Sequence, residues 1–460
     1  MLKKNDILTL KIQDMTNLGF GVGRDESGIV VFVSDAVTGD ECEVRIIKCN
    51  KSYTVGRVEK FIKKSDIRCE GRCHVTACKS CTYRHVSYEN ELKIKRDSVK
   101  AAFMHKGLLE IEILDTVASP SETEYRNKAQ YPISRDKNGE YIIGFYAPKS
   151  HRVTEARTCP LAPPIFAKIL DTVATFFKKY DISVYNEETG EGLLRHIYLR
   201  RGEVSGEVLL TIVINGKSLK NEDELSELIQ ANHPETVGLL INENTDATNV
   251  VLGDKFRTVF GRDYIFDTLG GVKLKITAPS FYQVNRAAAD LLYAKAKSLA
   301  APEKGDLLLD LYCGAGSIGL SMADKAGELI GIEIIESAVE CAAFNARENG
   351  IPNAKFYTGD AKNTENLLSH AEGELGKKIE PKIVVLDPPR AGCAKELIDF
   401  VATRLSPERI VYVSCNPQTL ARDVKLFLSL GYTPGAVTPF DLFPMTGHVE
   451  SVIALTRKEK

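Results

Sequence analysis

Asp310-Leu311-Tyr312-Cys313-Gly314-Ala315-Gly316-Ser317-Ile318-Gly319 decides the fold of the C-terminal part of this chain. Leu307 to Leu311 reads as a buried strand, the glycines as a tight turn, and the residues after them as the start of a helix. Outward from this stretch, Glu328 to Ile332, Lys355 to Thr358, Ile383 to Leu386, Ile410 to Val413 and His448 to Thr456 repeat the strand pattern, with helical stretches between them. Strands alternating with helices predict a doubly wound parallel sheet over residues 273–460, with ligands beyond the carboxyl ends of its strands.

The glycines let backbone approach a bound adenosyl compound, and Glu333, at the end of the second strand, suits two ribose hydroxyls. Gly314-x-Gly316-x-x-Gly319 equally matches a dinucleotide fingerprint. This element alone divides evenly between NAD and S-adenosylmethionine.

Two later elements separate them. In Arg409-Ile410-Val411-Tyr412-Val413-Ser414-Cys415-Asn416-Pro417, a β-branched run ends at a cysteine, and Asn416 and Pro417 read as the N-cap and first position of a helix. The positive end of that helix is expected to lower the Cys415 thiol pKa and make a nucleophile. Alone, Cys415 would read as a small core hydrophobe. Asp387-Pro388-Pro389-Arg390 follows another strand, and its prolines stiffen a turn that aims Asp387 into the crevice. A nicotinamide enzyme needs neither; a methyltransferase acting on a pyrimidine ring carbon needs both. C5 of uracil becomes nucleophilic only after a thiolate adds at C6, and a base must then remove the C5 proton. Glu450, in an apolar strand, suits that base because burial raises a carboxyl pKa. The alternative reading is the exposed face of an edge strand.

With 460 residues the chain exceeds one core, and 43% apolar and 27% charged residues are ordinary for folded domains. The N-terminus has no apolar leader region and no stretch is apolar enough for a membrane span, so a cytoplasmic location is expected. Net charge is -2, yet residues 45–100 carry 15 Lys plus Arg against 6 Asp plus Glu. That basic segment is compatible with RNA and equally with a solvated surface. RNA is the expected partner; neither DNA nor a membrane is.

Eleven cysteines in such a chain do not suggest disulfides. Cys69, Cys73, Cys78 and Cys81 cluster as metal or iron–sulfur ligands do. Before them, residues 1–62 alternate apolar and polar between glycine-rich turns, which predicts a small antiparallel β-barrel of the oligonucleotide-binding kind. Residues 63–272 read as a central α+β domain. It contains the Cys-rich loop, a basic amphipathic helix from 89 to about 106, and helices around 163–179 and 221–231.

These residues resemble the bacterial RNA (uracil-5-)methyltransferases that modify 23S ribosomal RNA and carry an N-terminal TRAM domain. The likeness runs nearly end to end and rests on Phe281-Tyr282-Gln283-Val284-Asn285, the Asp310-to-Gly319 loop, Asp387-Pro388-Pro389-Arg390, Ser414-Cys415-Asn416-Pro417 and His448-Val449-Glu450. It implies a TRAM barrel, a central α+β domain and a Rossmann-like class I methyltransferase domain. By resemblance, Gln283, Tyr312, Ser317, Glu333, Asp360 and Asp387 line the S-adenosylmethionine site, Cys415 is the nucleophile and Glu450 the base.

The family also implies a [4Fe-4S] cluster, here on Cys73, Cys78, Cys81 and Cys159. The loop departs from the family pattern: four residues separate Cys73 from Cys78 where five are usual, Lys79-Ser80 replaces a glycine pair, and Cys69 is an extra candidate. Zinc on the same sulfurs is the rival, since four thiolates suit either metal. The barrel favours ribosomal over transfer RNA. The target nucleotide must leave its stack to reach Cys415, and Tyr312, Phe440 or Phe443 could stack on it or simply fill the core. Alternatives are a transfer-RNA uracil-5 methyltransferase, a cytosine-5 enzyme, which the lack of a cysteine in Asp387-Pro388-Pro389-Arg390 disfavours, and a non-catalytic RNA-binding or ribosome assembly factor.

Overall fold

A computed structural model describes residues 2–75, 77–148 and 150–458. Met1, Glu459 and Lys460, included in the spans expected above, lie outside the described residues, as does Thr76 of the Cys-rich loop.

The N-terminal strands close into a barrel. Ile7–Lys11 pairs with Glu41–Cys49 at one end of the sheet, and Asp14–Met15, which continues the same strand, pairs with Phe20–Arg24 at the other. The alternation of the sequence puts Leu10, Ile12, Val31, Val33, Val44 and Ile46 inside. One pair departs from the antiparallel expectation: Val30–Ser34 runs parallel to Tyr53–Lys63.

The central region is a seven-stranded sheet, from Lys255–Gly261 at one edge to Val153–Glu155 at the other. Helices Pro164–Lys179 and Glu222–Asn232 cover one face with Phe166, Leu170, Val173, Leu225 and Ile229. From the other face Tyr198, Leu209 and Leu240 join the core of the C-terminal region. The ribbon Tyr264–Leu269 and Val272–Thr277 buries its apolar side in that same core, so packing runs across the boundary expected at 272/273. Helix Tyr88–His105 likewise packs Val99 and Phe103 among C-terminal core residues, although its sequence position suggested the central domain.

The C-terminal sheet runs Ala354–Thr358, Glu328–Glu333, Leu307–Leu311, Ile383–Leu386, Arg409–Ser414, Glu450–Arg457, Tyr432–Pro434. The first five strands are parallel. Glu450–Arg457 is antiparallel to Arg409–Ser414, a single reversal in the expected doubly wound parallel sheet: the chain turns back after Thr438–Phe440, and those residues pair with Glu450–Val452. Strand order reverses between Leu307–Leu311 and Ile383–Leu386, and such a switch point opens a crevice above the strand ends. Among the described residues no helix is long and apolar enough to cross a membrane.

Candidate active site

A cavity of ≈ 1440 Å³ opens above that switch point. It is lined by Gln283, Tyr312, Ser317, Glu333, Asp360, Asp387, Cys415 and Glu450, every residue expected at the cofactor site or in the reaction.

Cys415 stands where strand Arg409–Ser414 ends, half-buried and open to the cavity. The next residue, Asn416, caps helix Pro417–Ser429: its side-chain oxygen accepts from the Gln418 amide at 3.0 Å. Its side-chain nitrogen donates to the Arg390 carbonyl at 2.9 Å, and the Thr419 hydroxyl donates to the same oxygen at 3.3 Å. The stiff turn carrying Asp387 is thereby tied to the turn carrying the thiol.

The electrostatics reverse one expectation. The Cys415 thiol is pushed up to about 11, not down, because burial removes water and the Glu450 and Asp387 carboxylates oppose a thiolate, with Arg390 acting the other way. Glu450 is 7% exposed and opposes Phe440 in the ladder, flanked by strands on both sides rather than on an edge. Burial, reinforced by Asp387, pushes its carboxyl up to about 8. Asp387 is raised to about 7 by desolvation. A positive charge placed in this cavity would favour all three ionised forms at once.

The cofactor end is built on strained backbone. Tyr312, with φ 66°, is a bulky residue in the left-handed region, followed by Gly314 and Gly316 at φ 54° and 81°. Gly319 donates its amide to Asp310 Oδ2 at 2.9 Å, and a Cβ there would stand 2.7 Å from that oxygen. Glu333 accepts from the Gly314 amide at 3.1 Å and the Ile335 amide at 3.0 Å, and Ser317 meets the Tyr293 hydroxyl at 2.7 Å. Asp310 Oδ1, buried at the cavity wall, has no hydrogen-bond partner among the described residues. An unsatisfied carboxylate oxygen and a cradle of carboxylates fit the hydroxyls and cationic centre of an adenosyl sulfonium.

Residues outside the expected set also line the cavity: Asp310, Arg126, Lys128, Arg390 and His448. Asp310 opens the loop motif, and its position at a strand's carboxyl end was the signal available; burial raises it to about 8. Lys128 is pushed down to about 8 by burial and by Arg200 and Arg126, and nothing in its local sequence marks it. Of the aromatics, Tyr312 and Phe443 reach the cavity, whereas Phe440 is core.

Cys73, Cys78, Cys81 and Cys159 are brought near one another: burial first, then Cys159, Cys73 and Cys78, push the Cys81 thiol up to about 12. The charged neighbours of Cys69 are Arg72, Glu122 and Glu91. Among the described residues, no three Cys, His, Asp or Glu side chains stand in metal-holding geometry. The Cys73 thiol points to the Val75 carbonyl and that of Cys78 to the Ser80 hydroxyl at 3.2 Å, so these are neighbouring thiols, not a formed ligand shell.

Comparison with known proteins decides the family. The tRNA (uracil-5-)-methyltransferase family matches residues 87–458 and the TRAM domain matches residues 2–58. The chain belongs to the uracil-5-methyltransferase family. It is 37% identical over 456 residues to an uncharacterized RNA methyltransferase of Clostridium tetani, covering 99% of this chain and 97% of the relative. It is 36% identical over 464 residues to another of Oceanobacillus iheyensis, covering 99% and 98%. The crystal structure of Pyrococcus abyssi tRNA (uracil-54, C5)-methyltransferase with S-adenosyl-L-homocysteine superposes with a TM-score of 0.77 at 27% identity, covering 98% of this chain and all of that one. As a member of this family the chain is an RNA (uracil-5-)methyltransferase that uses S-adenosylmethionine.

Proposed function

We propose that this enzyme methylates C5 of a uridine in large-subunit ribosomal RNA through a Cys415–C6 adduct resolved by Glu450. The observation that carries the reading is one cavity shared by a half-buried thiol, a buried carboxyl and a cofactor cradle. S-adenosylmethionine, when bound, supplies an electrophilic methyl group on a positively charged sulfur. Gln283, Tyr312, Ser317, Glu333, Asp360 and Asp387 are the residues that would hold it.

The Cys415 thiol gives its proton to solvent, a loss that a positive charge in the cavity favours, and the thiolate sulfur bonds to C6 while the C5–C6 electron pair moves into an enolate. C5 of that enolate would attack the methyl carbon, whose bond to sulfur breaks with its electron pair left on the sulfur, and S-adenosylhomocysteine departs as a neutral thioether. Glu450, as carboxylate, then takes the C5 proton; the C5–H electrons rebuild the C5–C6 double bond, and the thiolate leaves. A carboxyl raised to about 8 is basic enough for this proton and still ionisable near neutrality. Arg126, Lys128 and Arg390 bring cationic side chains to a cavity also lined by carboxylates, and these cations suit the phosphates of a polyanionic substrate. A retained thiol and carboxyl disfavour the non-catalytic assembly factor.

A second reading, transfer RNA, has its own support. The Pyrococcus enzyme carries a transfer-RNA activity in its name and aligns over 98% of this chain, so the barrel does not by itself select ribosomal RNA. Mapping 5-methyluridine in both RNAs from cells lacking the protein tests the two together. Loss at a 23S position supports the first, loss only in transfer RNA the second, and loss in neither overturns both.

We assign the four gathered cysteines as the donor set for a [4Fe-4S] cluster, with zinc as the rival. Support comes from four sulfurs supplied by two distant segments around Cys81. No step of methyl transfer passes through them. Iron, sulfide and zinc analysis of anaerobically purified protein distinguishes the outcomes.

A further inference from the structure

Glu450 stands at the end of a hairpin loop, residues 441–449, that also brings Phe443 and His448 to the cavity. The loop is held from every side. Tyr125 donates its hydroxyl to the Pro444 carbonyl at 3.0 Å, and Asn285 its side-chain amide to the Leu442 carbonyl at 3.1 Å. Gly447 lies so close to the barrel that a Cβ would stand 1.8 Å from the Asn17 carbonyl oxygen.

Beneath the loop is a charged group that the reaction does not use. Lys95, 1% exposed, donates to Asp441 Oδ1 at 2.6 Å, to the Phe443 carbonyl at 3.1 Å and to Glu91 Oε1 at 2.9 Å. Glu91 accepts from the Met445 amide at 2.7 Å and from Arg72 at 2.7 Å. Arg72 adjoins Cys73, and the Tyr83 amide, two residues past Cys81, donates to the Met445 carbonyl at 2.9 Å. Met445 itself packs with Cys81, and Cys159 packs against the same group. An ammonium with no water needs every proton placed, so it fixes its acceptors more tightly than an apolar contact would.

We propose that Lys95 is a positioning residue for the base: by binding Asp441 and Phe443 it holds the 441–449 loop, and Glu450 with it, against the cavity, and through Glu91 and Arg72 makes that placement depend on the Cys-rich segment. This rests on the role proposed above for Glu450. Loss of the anchor lets water reach Glu450, and its carboxyl then moves back toward the ordinary range.

The test is Lys95→Met in the full-length enzyme. Expected are unchanged S-adenosylmethionine affinity, a kcat lower by about 10²-fold, a pH midpoint of kcat moved to lower pH, more RNA retained covalently on a denaturing gel, and faster amide exchange confined to 441–449. A folded variant with wild-type pH midpoint and adduct fraction overturns the proposal, because a merely structural residue would leave both in place. Should Lys95→Met fail to fold, Asp441→Asn keeps an acceptor for Lys95 while removing the charge; the same direction of change supports the proposal and none overturns it. Absence of 5-methyluridine from wild-type reactions would instead sink the underlying reading.

Discussion

Asn416 reaches back 26 residues to hold the Arg390 carbonyl at 2.9 Å, so the turn of Cys415, the proposed nucleophile, is tied to the turn carrying Asp387. The same side chain caps the following helix through the Gln418 amide. Asn416→Ala removes both bonds. Loss of the cap should cost about 1 kcal/mol of stability, read by denaturant unfolding, and kcat should fall while the S-adenosylmethionine dissociation constant changes little. Wild-type kcat in the variant would show that the two turns need no tether.

Cys415→Ala should abolish methyl transfer and leave cofactor binding intact, since Gln283, Ser317 and Glu333, which line the cavity, are the residues proposed to hold the cofactor. Equilibrium dialysis with labelled S-adenosylmethionine and a tritium-release assay separate the two. Residual turnover above background would exclude the covalent route.

The pH dependence follows from the buried carboxyls. Glu450 must be ionised to take the C5 proton, and it is raised to about 8, so activity should climb from pH 6 through pH 8. Asp387 is one of the charges that raises it. In Asp387→Asn that opposition is gone, Glu450 ionises more easily, and the midpoint should move to lower pH in profiles taken at saturating cofactor. A midpoint displaced upward would contradict the assignment.

Asp310 makes a stability prediction of definite sign. Its folded-state value, about 8, lies above the ordinary carboxyl range near 4. Its contribution is therefore fully present below about pH 4 and is lost as pH rises through 8. Asp310→Asn should be relatively more stable than wild type at pH 8 than at pH 5, by calorimetry on ligand-free protein. An equal difference at both pH values would mean that Asp310 is not buried in its neutral form.

Much of this was legible in residue order. The strands at Leu307–Leu311 and Ile383–Leu386 follow from unbroken apolar runs, and the cap at Asn416-Pro417 from residue type alone. The thiol's acidity was not, because a helix end is a local signal whereas burial, the largest cause of the shift, and then Glu450 and Asp387 come from the way other strands pack around Cys415. Lys128 and Arg126 escaped for a similar reason: Lys128 opens a strand of the central sheet, Arg126 lies two residues before it, and both meet the cavity only through packing. The reversed last strand was hidden because Glu450–Arg457, buried on both faces, reads like its parallel neighbours.

The covalent bond between Cys415 and C6 is the claim on which the rest depends, and RNA bearing 5-fluorouridine at the target position tests it most directly. Fluorine at C5 leaves no proton for Glu450 to remove, so the adduct cannot resolve. Intact-mass analysis after incubation with S-adenosylmethionine should show protein plus RNA plus one methyl group, with the cross-link on the peptide containing Cys415. Only free protein, or a cross-link at another residue, would contradict the account.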